Sequence, residues 1–217
     1  MFGKKKEEMM VYVIMGFLEA GKTNLIRDLV VDDMFDDKIK TMILACEEGE
    51  LEYEPDVLEK ANCVVEYIED EEAFNGKIIQ KFLKKHRPDR IIIEYNGMWP
   101  LQALYDALPT DWDIYQIILL ADSTTFASYM TNMRQLAVDK LQDPEMVIFN
   151  RCTRDTKKGS LRRAVKAANR QVQIIYESID GSDEDDDEDD LPFDLTADTI
   201  EIEDDDYGLW YLDAMDH

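Results

Sequence analysis

Gly16-Phe17-Leu18-Glu19-Ala20-Gly21-Lys22-Thr23 matches the pattern G-x-x-x-x-G-K-[ST] of a phosphate-binding loop. Glycines at both ends let the backbone curl so that successive N–H groups point inward at an anion. A helix that opens at the lysine adds its positive dipole end. In such a loop Lys22 reaches the β- and γ-phosphates and the Thr23 hydroxyl ligates Mg²⁺. Gly16, Glu19, Ala20, Gly21, Lys22, Thr23 and Asn24 are the candidate phosphate contacts. The bland alternative is a glycine-rich turn with no ligand, and an apolar strand before it and a helical pattern after it argue against that.

Three further groups fall where strands should end. Glu94 and Gly97, in Glu94-Tyr95-Asn96-Gly97, offer a carboxylate that can hold Mg²⁺ through water and an N–H that can meet a γ-phosphate. Glu47, Glu48 and Glu50 follow an earlier strand; of these Glu47 is the candidate metal ligand, and the other two read equally well as solvated loop carboxylates. Asn150-Arg151-Cys152-Thr153 stands where a guanine-binding protein carries Asn-Lys-x-Asp. Asn150 can bond a purine N7, with the Arg151 stem beside the ring. Thr153 has one short hydroxyl and no charge, so it cannot accept both guanine N1–H and N2–H. Asp155 is two residues late in register.

These groups need a scaffold that puts strand ends on one edge. Apolar bursts at Val11–Met15, Ile39–Ala45, Val64–Ile68, Arg90–Tyr95, Ile114–Ala121, Met146–Asn150 and Val172–Tyr176 read as buried strands. Helical patterns fall between them, with the clearest over Glu72–His86, Phe126–Leu141 and Gly159–Asn169. Alternating buried strands and helices predict an α/β fold of the P-loop type, a mainly parallel sheet with helices on both faces. Ligands of such sheets bind at the C-terminal ends of the strands.

The chain has 217 residues and a formal net charge of −25, carried unevenly. Residues 177–217 hold 19 acids and no Lys or Arg, leaving 30 acids against 24 bases ahead of them. Residues 1–176 are therefore expected to be a nucleotide-binding domain, 177–193 an acidic linker with nothing apolar to bury, and 194–217 a tail. The tail's late aromatic cluster needs cover, from the body or from a segment beyond it. The linker is expected to act as a spacer that could hold Ca²⁺ or Mg²⁺ only loosely. The acidic balance argues against nucleic-acid binding. No apolar run reaches the ~20 residues of a membrane span, and no signal-peptide core opens the chain, so a cytoplasmic protein is expected. Cys46, Cys63 and Cys152 are too few and too scattered for a disulfide framework or a closed zinc site.

From Val11 to Leu25 the sequence resembles the opening GFLG(A/S)GKTT(L) block of the CobW-type GTPases, relatives of the urease and hydrogenase accessory GTPases that handle metals. Cys46-Glu47-Glu48-Gly49-Glu50 is similar to that family's Asn-Glu-Phe-Gly-Glu. The stretch from Arg87 to Pro100 resembles its Pro-Asp…Glu-Thr-(Ser/Thr)-Gly block, Ile118–Asp122 its Val-Val-Asp strand, and Val147–Asn150 its Val-Leu-Asn-Lys strand. The likeness covers roughly residues 10–176. It departs at the Cys-x-Cys-Cys metal motif, of which only Cys63 remains, at Thr153, and at Asn24 in place of a second threonine.

The resemblance implies GTP hydrolysis with Mg²⁺, coupled to metal delivery. The expected function is a slow nucleotide switch using GTP or ATP in metal homeostasis or metalloprotein maturation. Lys22, Glu94 and Gly97 would be its catalytic residues, and Thr23, Glu47 and Glu94 its metal residues. Arg27, Arg151 and Arg154 are present, but none is assigned as an arginine finger, so a protein partner or a second copy is expected to accelerate turnover. A non-catalytic nucleotide-binding scaffold module remains an alternative, as does a small-molecule kinase, although no arginine-rich lid is evident.

Overall fold

The computed structural model describes residues 9–31, 39–47, 53–110 and 112–179. Glu48, Glu50 and the acidic run and tail from residue 180 onward lie outside the described residues. Among the described residues there are seven strands: β1 Met10–Gly16, β2 Thr41–Ala45, β3 Cys63–Tyr67, β4 Arg90–Asn96, β5 Ile114–Asp122, β6 Met146–Cys152 and β7 Gln173–Ser178. All pair in parallel, in the order β3-β2-β4-β1-β5-β6-β7. The helices are α1 Lys22–Val31, α2 Pro55–Lys60, α3 Gly76–His86, α4 Leu101–Ala107, α5 Phe126–Asn132, α6 Arg134–Leu141 and α7 Lys158–Ala168.

An all-parallel sheet has to be covered on both faces, and side-chain alternation divides the core accordingly. Val11, Val13 and Met15 of β1 join an apolar cluster with residues of α3 to α7, among them Ile79, Phe82, Leu104, Leu141 and Val165. Tyr12 and Ile14 join a second cluster with Ile26 and Leu29 of α1 and Leu58 of α2. The result is the expected P-loop α/β fold. Its central strand β1 lies between β4 and β5, where the chain leaves first toward β2 and later toward β5 and β6. That reversal opens a crevice at the strand ends.

The elements differ from the sequence reading at several boundaries. The helix expected over Glu72–His86 begins only at Gly76, because the Asn75 side chain accepts from Lys77 N–H and Ile78 N–H as an N-cap. A 3-10 turn at Glu71–Ala73 precedes it. The helix stops at Arg87, which adopts φ 50° just before Pro88. The single helix expected over Phe126–Leu141 is two helices, broken at Met133 (φ −131°, ψ 39°). Here the Thr131 hydroxyl donates back to Ala127 O at 2.8 Å and Asn132 is a weak helix former, so the apolar spacing continues while the backbone does not. Helices α2 and α4 are short, and the sequence reading left both out.

Candidate functional site

The loop from Gly16 to Gly21 leaves the end of β1 and enters α1 at Lys22. Its glycines are required by contact and by conformation. A Cβ on Gly16 would collide with the Leu120 carbonyl of β5, and Gly21 has φ 94°. Glu19 takes φ 60°, a left-handed conformation that favours glycine. Gly97, beyond the end of β4, abuts this loop so closely that a Cβ would lie 2.8 Å from Phe17 Cα. Phe17 itself stacks on Tyr129 of α5, with ring centroids 3.9 Å apart and planes 4° apart.

Lys22, the expected phosphate contact, is only 3% exposed. Its ammonium donates to Gly16 O at 2.9 Å and Phe17 O at 3.1 Å, and pairs with Glu47 Oε2 at 2.5 Å. Glu47, one of the expected metal residues, lies beside the loop lysine in this structure. Glu94 is 4% exposed and both of its oxygens are held by hydroxyls. The Thr23 hydroxyl donates to Oε1 at 2.6 Å and the Tyr53 hydroxyl to Oε2 at 2.7 Å. The register Ala45↔Glu94 between β2 and β4, with the Cys46 N–H to Glu94 O bond at 2.9 Å, brings the chain after β2 alongside this carboxylate.

At the other end of the loop, β6 is irregular between Phe149 and Cys152, and Arg151 takes φ 53°. The irregularity turns two consecutive side chains toward the loop. Asn150 Nδ2 donates to Ala20 O at 2.7 Å, and both Arg151 terminal nitrogens donate to Glu19 O at 3.1 Å. Arg151 also pairs with Asp122 at 2.5 Å. Burial raises the Asp122 pKa, but bonds from Thr124 and Arg151 outweigh it and hold the carboxyl below its ordinary value. Asn150 Oδ1 is buried with no partner. The backbone N–H of Thr153 is taken by Thr156 Oγ1 at 2.8 Å, and Asp155 is exposed in the following turn.

Gly16, Glu19, Ala20, Gly21, Lys22, Thr23, Glu47, Glu94, Gly97, Asn150 and Arg151 are therefore gathered around one loop. Asn24 is exposed on the first turn of α1, and Thr153 has no contact with the loop among the bonds described. Sequence reasoning missed Tyr53 and Asp122, and it missed the buried Lys140, whose hydrogen bond runs to Trp99 and not to the loop. Asp122 closes a strand on the site edge and could have been found by that position. Lys140 sits on α6, 1% exposed, donating to Trp99 O and lying over the Tyr95 ring at 4.9 Å. Burial brings its pKa down to about 8 against the raising effect of Asp139 and Glu71. Nothing in the sequence marked Tyr53 or Lys140.

The family description "CobW/HypB/UreG, nucleotide-binding domain" matches residues 10–176. The chain belongs to the CobW/HypB/UreG family. No curated protein is significantly similar to it. Among solved structures it is similar to the Zn(II)-bound YjiA GTPase from E. coli at 19% identity and TM-score 0.52, over 73% of this chain and 54% of that one. It thus spans about half the length of YjiA. It is also similar to HypB from Helicobacter pylori in complex with nickel, at 16% identity and TM-score 0.53, over 80% of each chain. A third is FlhF complexed with GMPPNP/Mg²⁺, at 16% identity and TM-score 0.50, over 79% of this chain and 66% of that one. At these identities the likeness is one of fold.

Within the CobW/HypB/UreG domain the three cysteines are buried and unpaired with one another. Cys63 opens β3 and its thiol donates to Ala61 O at 3.2 Å. Among the described residues no group of three or more His, Cys, Asp or Glu side chains could hold a metal ion, and no helix is long and apolar enough to cross a membrane.

Proposed function

We propose that this CobW/HypB/UreG-family chain is a nucleotide switch that binds a nucleoside triphosphate with Mg²⁺ and hydrolyses it slowly, in metal homeostasis or metalloprotein maturation. The observation that carries this reading is the bond from Thr23 to Glu94. A threonine at the start of α1 that gives its only proton to a carboxylate keeps its oxygen lone pairs for a cation. Thr23 would ligate Mg²⁺ and Glu94 would meet it through water; the ion supplies charge neutralisation at the phosphates. Lys22 would exchange Glu47 for phosphate oxygens, an anion for an anion. Gly97, pressed against the loop, would sense the γ-phosphate through its N–H. Among the candidate arginines, Arg151 is tied to Glu19 O and Asp122, which supports slow intrinsic turnover and a protein partner or second copy as accelerator. YjiA and FlhF, a GTPase and a GMPPNP/Mg²⁺ complex, support GTP as a substrate; HypB with nickel supports a metal-handling setting.

In this reading residues 1–176 form the nucleotide domain, followed by the acidic linker and tail, and the protein works in the cytoplasm. A non-catalytic nucleotide-binding module is the second reading, favoured by the solitary Cys63 at the place of the family's metal motif. Phosphate release from GTP and ATP, with and without Mg²⁺, separates the two. Mg²⁺-dependent release supports the switch. Tight triphosphate binding with no release supports the module, and no binding removes both.

A further inference from the structure

We propose that Tyr53 is a positioning residue that, through Glu94, orients Thr23 toward Mg²⁺. The inference deepens the nucleotide-switch reading and rests on it. Tyr53 lies two residues before α2 and is 7% exposed, its ring packed among the apolar side chains that cover one face of the sheet. A phenylalanine would fill that space equally well. What the tyrosine adds is a hydroxyl, and its partner is Glu94 Oε2 at 2.7 Å, 41 residues away in the chain.

The two bonds on Glu94 divide the work. Oε1 accepts the single proton of the Thr23 hydroxyl at 2.6 Å. That bond decides which way the threonine oxygen presents its lone pairs, because a hydroxyl with its proton committed can only offer the remaining directions. A carboxylate held at one oxygen can still turn about its own bond and take the threonine with it. The Tyr53 bond to the second oxygen fixes the carboxylate plane, and with it the direction of the Thr23 lone pairs. Tyr53 touches neither nucleotide nor metal in this arrangement. It stands behind the group that stands behind the ligand, a place where substitutions in metal sites commonly cost ~10–100-fold in affinity or activity.

The test uses the full chain with a non-hydrolysable triphosphate, titrating Mg²⁺ and reading nucleotide affinity by calorimetry. Tyr53→Phe is expected to raise the Mg²⁺ concentration at half-effect by ~10-fold or more. Metal-free triphosphate affinity should stay within about twofold, since Lys22 and the loop are untouched. An unchanged Mg²⁺ dependence in folded Tyr53→Phe overturns the proposal. If Tyr53→Phe leaves Glu94 buried without its donor and does not fold, the pair Glu94→Gln and Glu94→Gln/Tyr53→Phe takes its place, because the amide removes the buried charge. The double variant should then match Glu94→Gln within about twofold in Mg²⁺ dependence. A further tenfold loss would mean that the hydroxyl acts by a route other than the Glu94 carboxylate, and would overturn the proposal as well. A parent chain that binds triphosphate with no Mg²⁺ dependence sinks the switch reading itself, an outcome distinct from a Mg²⁺-dependent parent indifferent to Tyr53→Phe.

Discussion

The two ends of the loop between β1 and α1 are built on different principles. At the α1 end, charged groups are held in the interior: Lys22 on Glu47, and Glu94 between the hydroxyls of Thr23 and Tyr53, with Lys22 and Glu94 each under 5% exposed. At the β6 end, Asn150 and Arg151 spend their donors on the loop carbonyls of Ala20 and Glu19, and Arg151 stays 43% exposed. One end holds groups whose attraction for an anion or cation grows with burial. The other end braces the shape of the loop and leaves little with which to discriminate one base from another. In the proposed reading, grip and metal handling belong to the first, and weak selectivity to the second.

The largest effect should come from Lys22→Ala. Losing charged hydrogen bonds to two phosphates is expected to lower triphosphate affinity on the order of 10²–10³-fold while the chain stays folded. Calorimetry with a non-hydrolysable triphosphate measures it, and unchanged affinity would erase the contrast between the two ends. Next is Glu94→Gln, which keeps the shape and removes the charge. Phosphate release should slow by ~10–100-fold while nucleotide affinity at saturating Mg²⁺ changes by no more than about threefold. A variant that turns over at the parental rate removes Glu94 from the chemistry.

At the β6 end the effect is one of preference. The parent is expected to favour GTP over ATP by far less than the ~10⁴–10⁵ a matched polar site can reach. Thr153→Asp should widen the gap by roughly 10-fold, the scale of one added hydrogen bond to a charged group. Competition binding of both nucleotides on parent and variant decides it. Strong discrimination by the parent would give Asp155 or another residue the reading of the base.

The smallest effect is in stability against pH. The Asp122 carboxyl is held below its ordinary pKa, so the stabilisation from Thr124 and Arg151 is complete above the unfolded carboxylate value near ~4. It is lost as pH falls through the lower folded value. Arg151→Met should therefore lower the melting temperature slightly at pH 6, and the difference from the parent should shrink toward pH 3. Because Arg151 is partly exposed the shift is small. A gap that widens on acidification would contradict the pairing.

Much of this was readable in local pattern. The Gly16–Thr23 spacing and the alternation of apolar runs with helical faces located the loop, its strand and its helix, because glycine placement and apolar period are local properties. The same reasoning failed at Phe126–Leu141. Apolar spacing survived a backbone break there, since Thr131 and Asn132 act on hydrogen bonds and leave the periodicity intact. Strand-end position marked Glu47 as well, but it carried no sign that the Lys22 ammonium lies beside it.

By itself the sequence determined the fold class, the loop, and the presence of Thr153 where the resembled pattern carries an aspartate, each of which depends on residue type at a fixed local spacing. The pairing of side chains remote in the chain was decided only in three dimensions. A hydrogen bond joins Tyr53 to Glu94 across 41 residues, and the irregularity in β6 turns Asn150 and Arg151 onto a loop some 130 residues earlier. Hydrogen bonds of that kind depend on ångström-scale distance and direction, and a one-dimensional spacing carries neither.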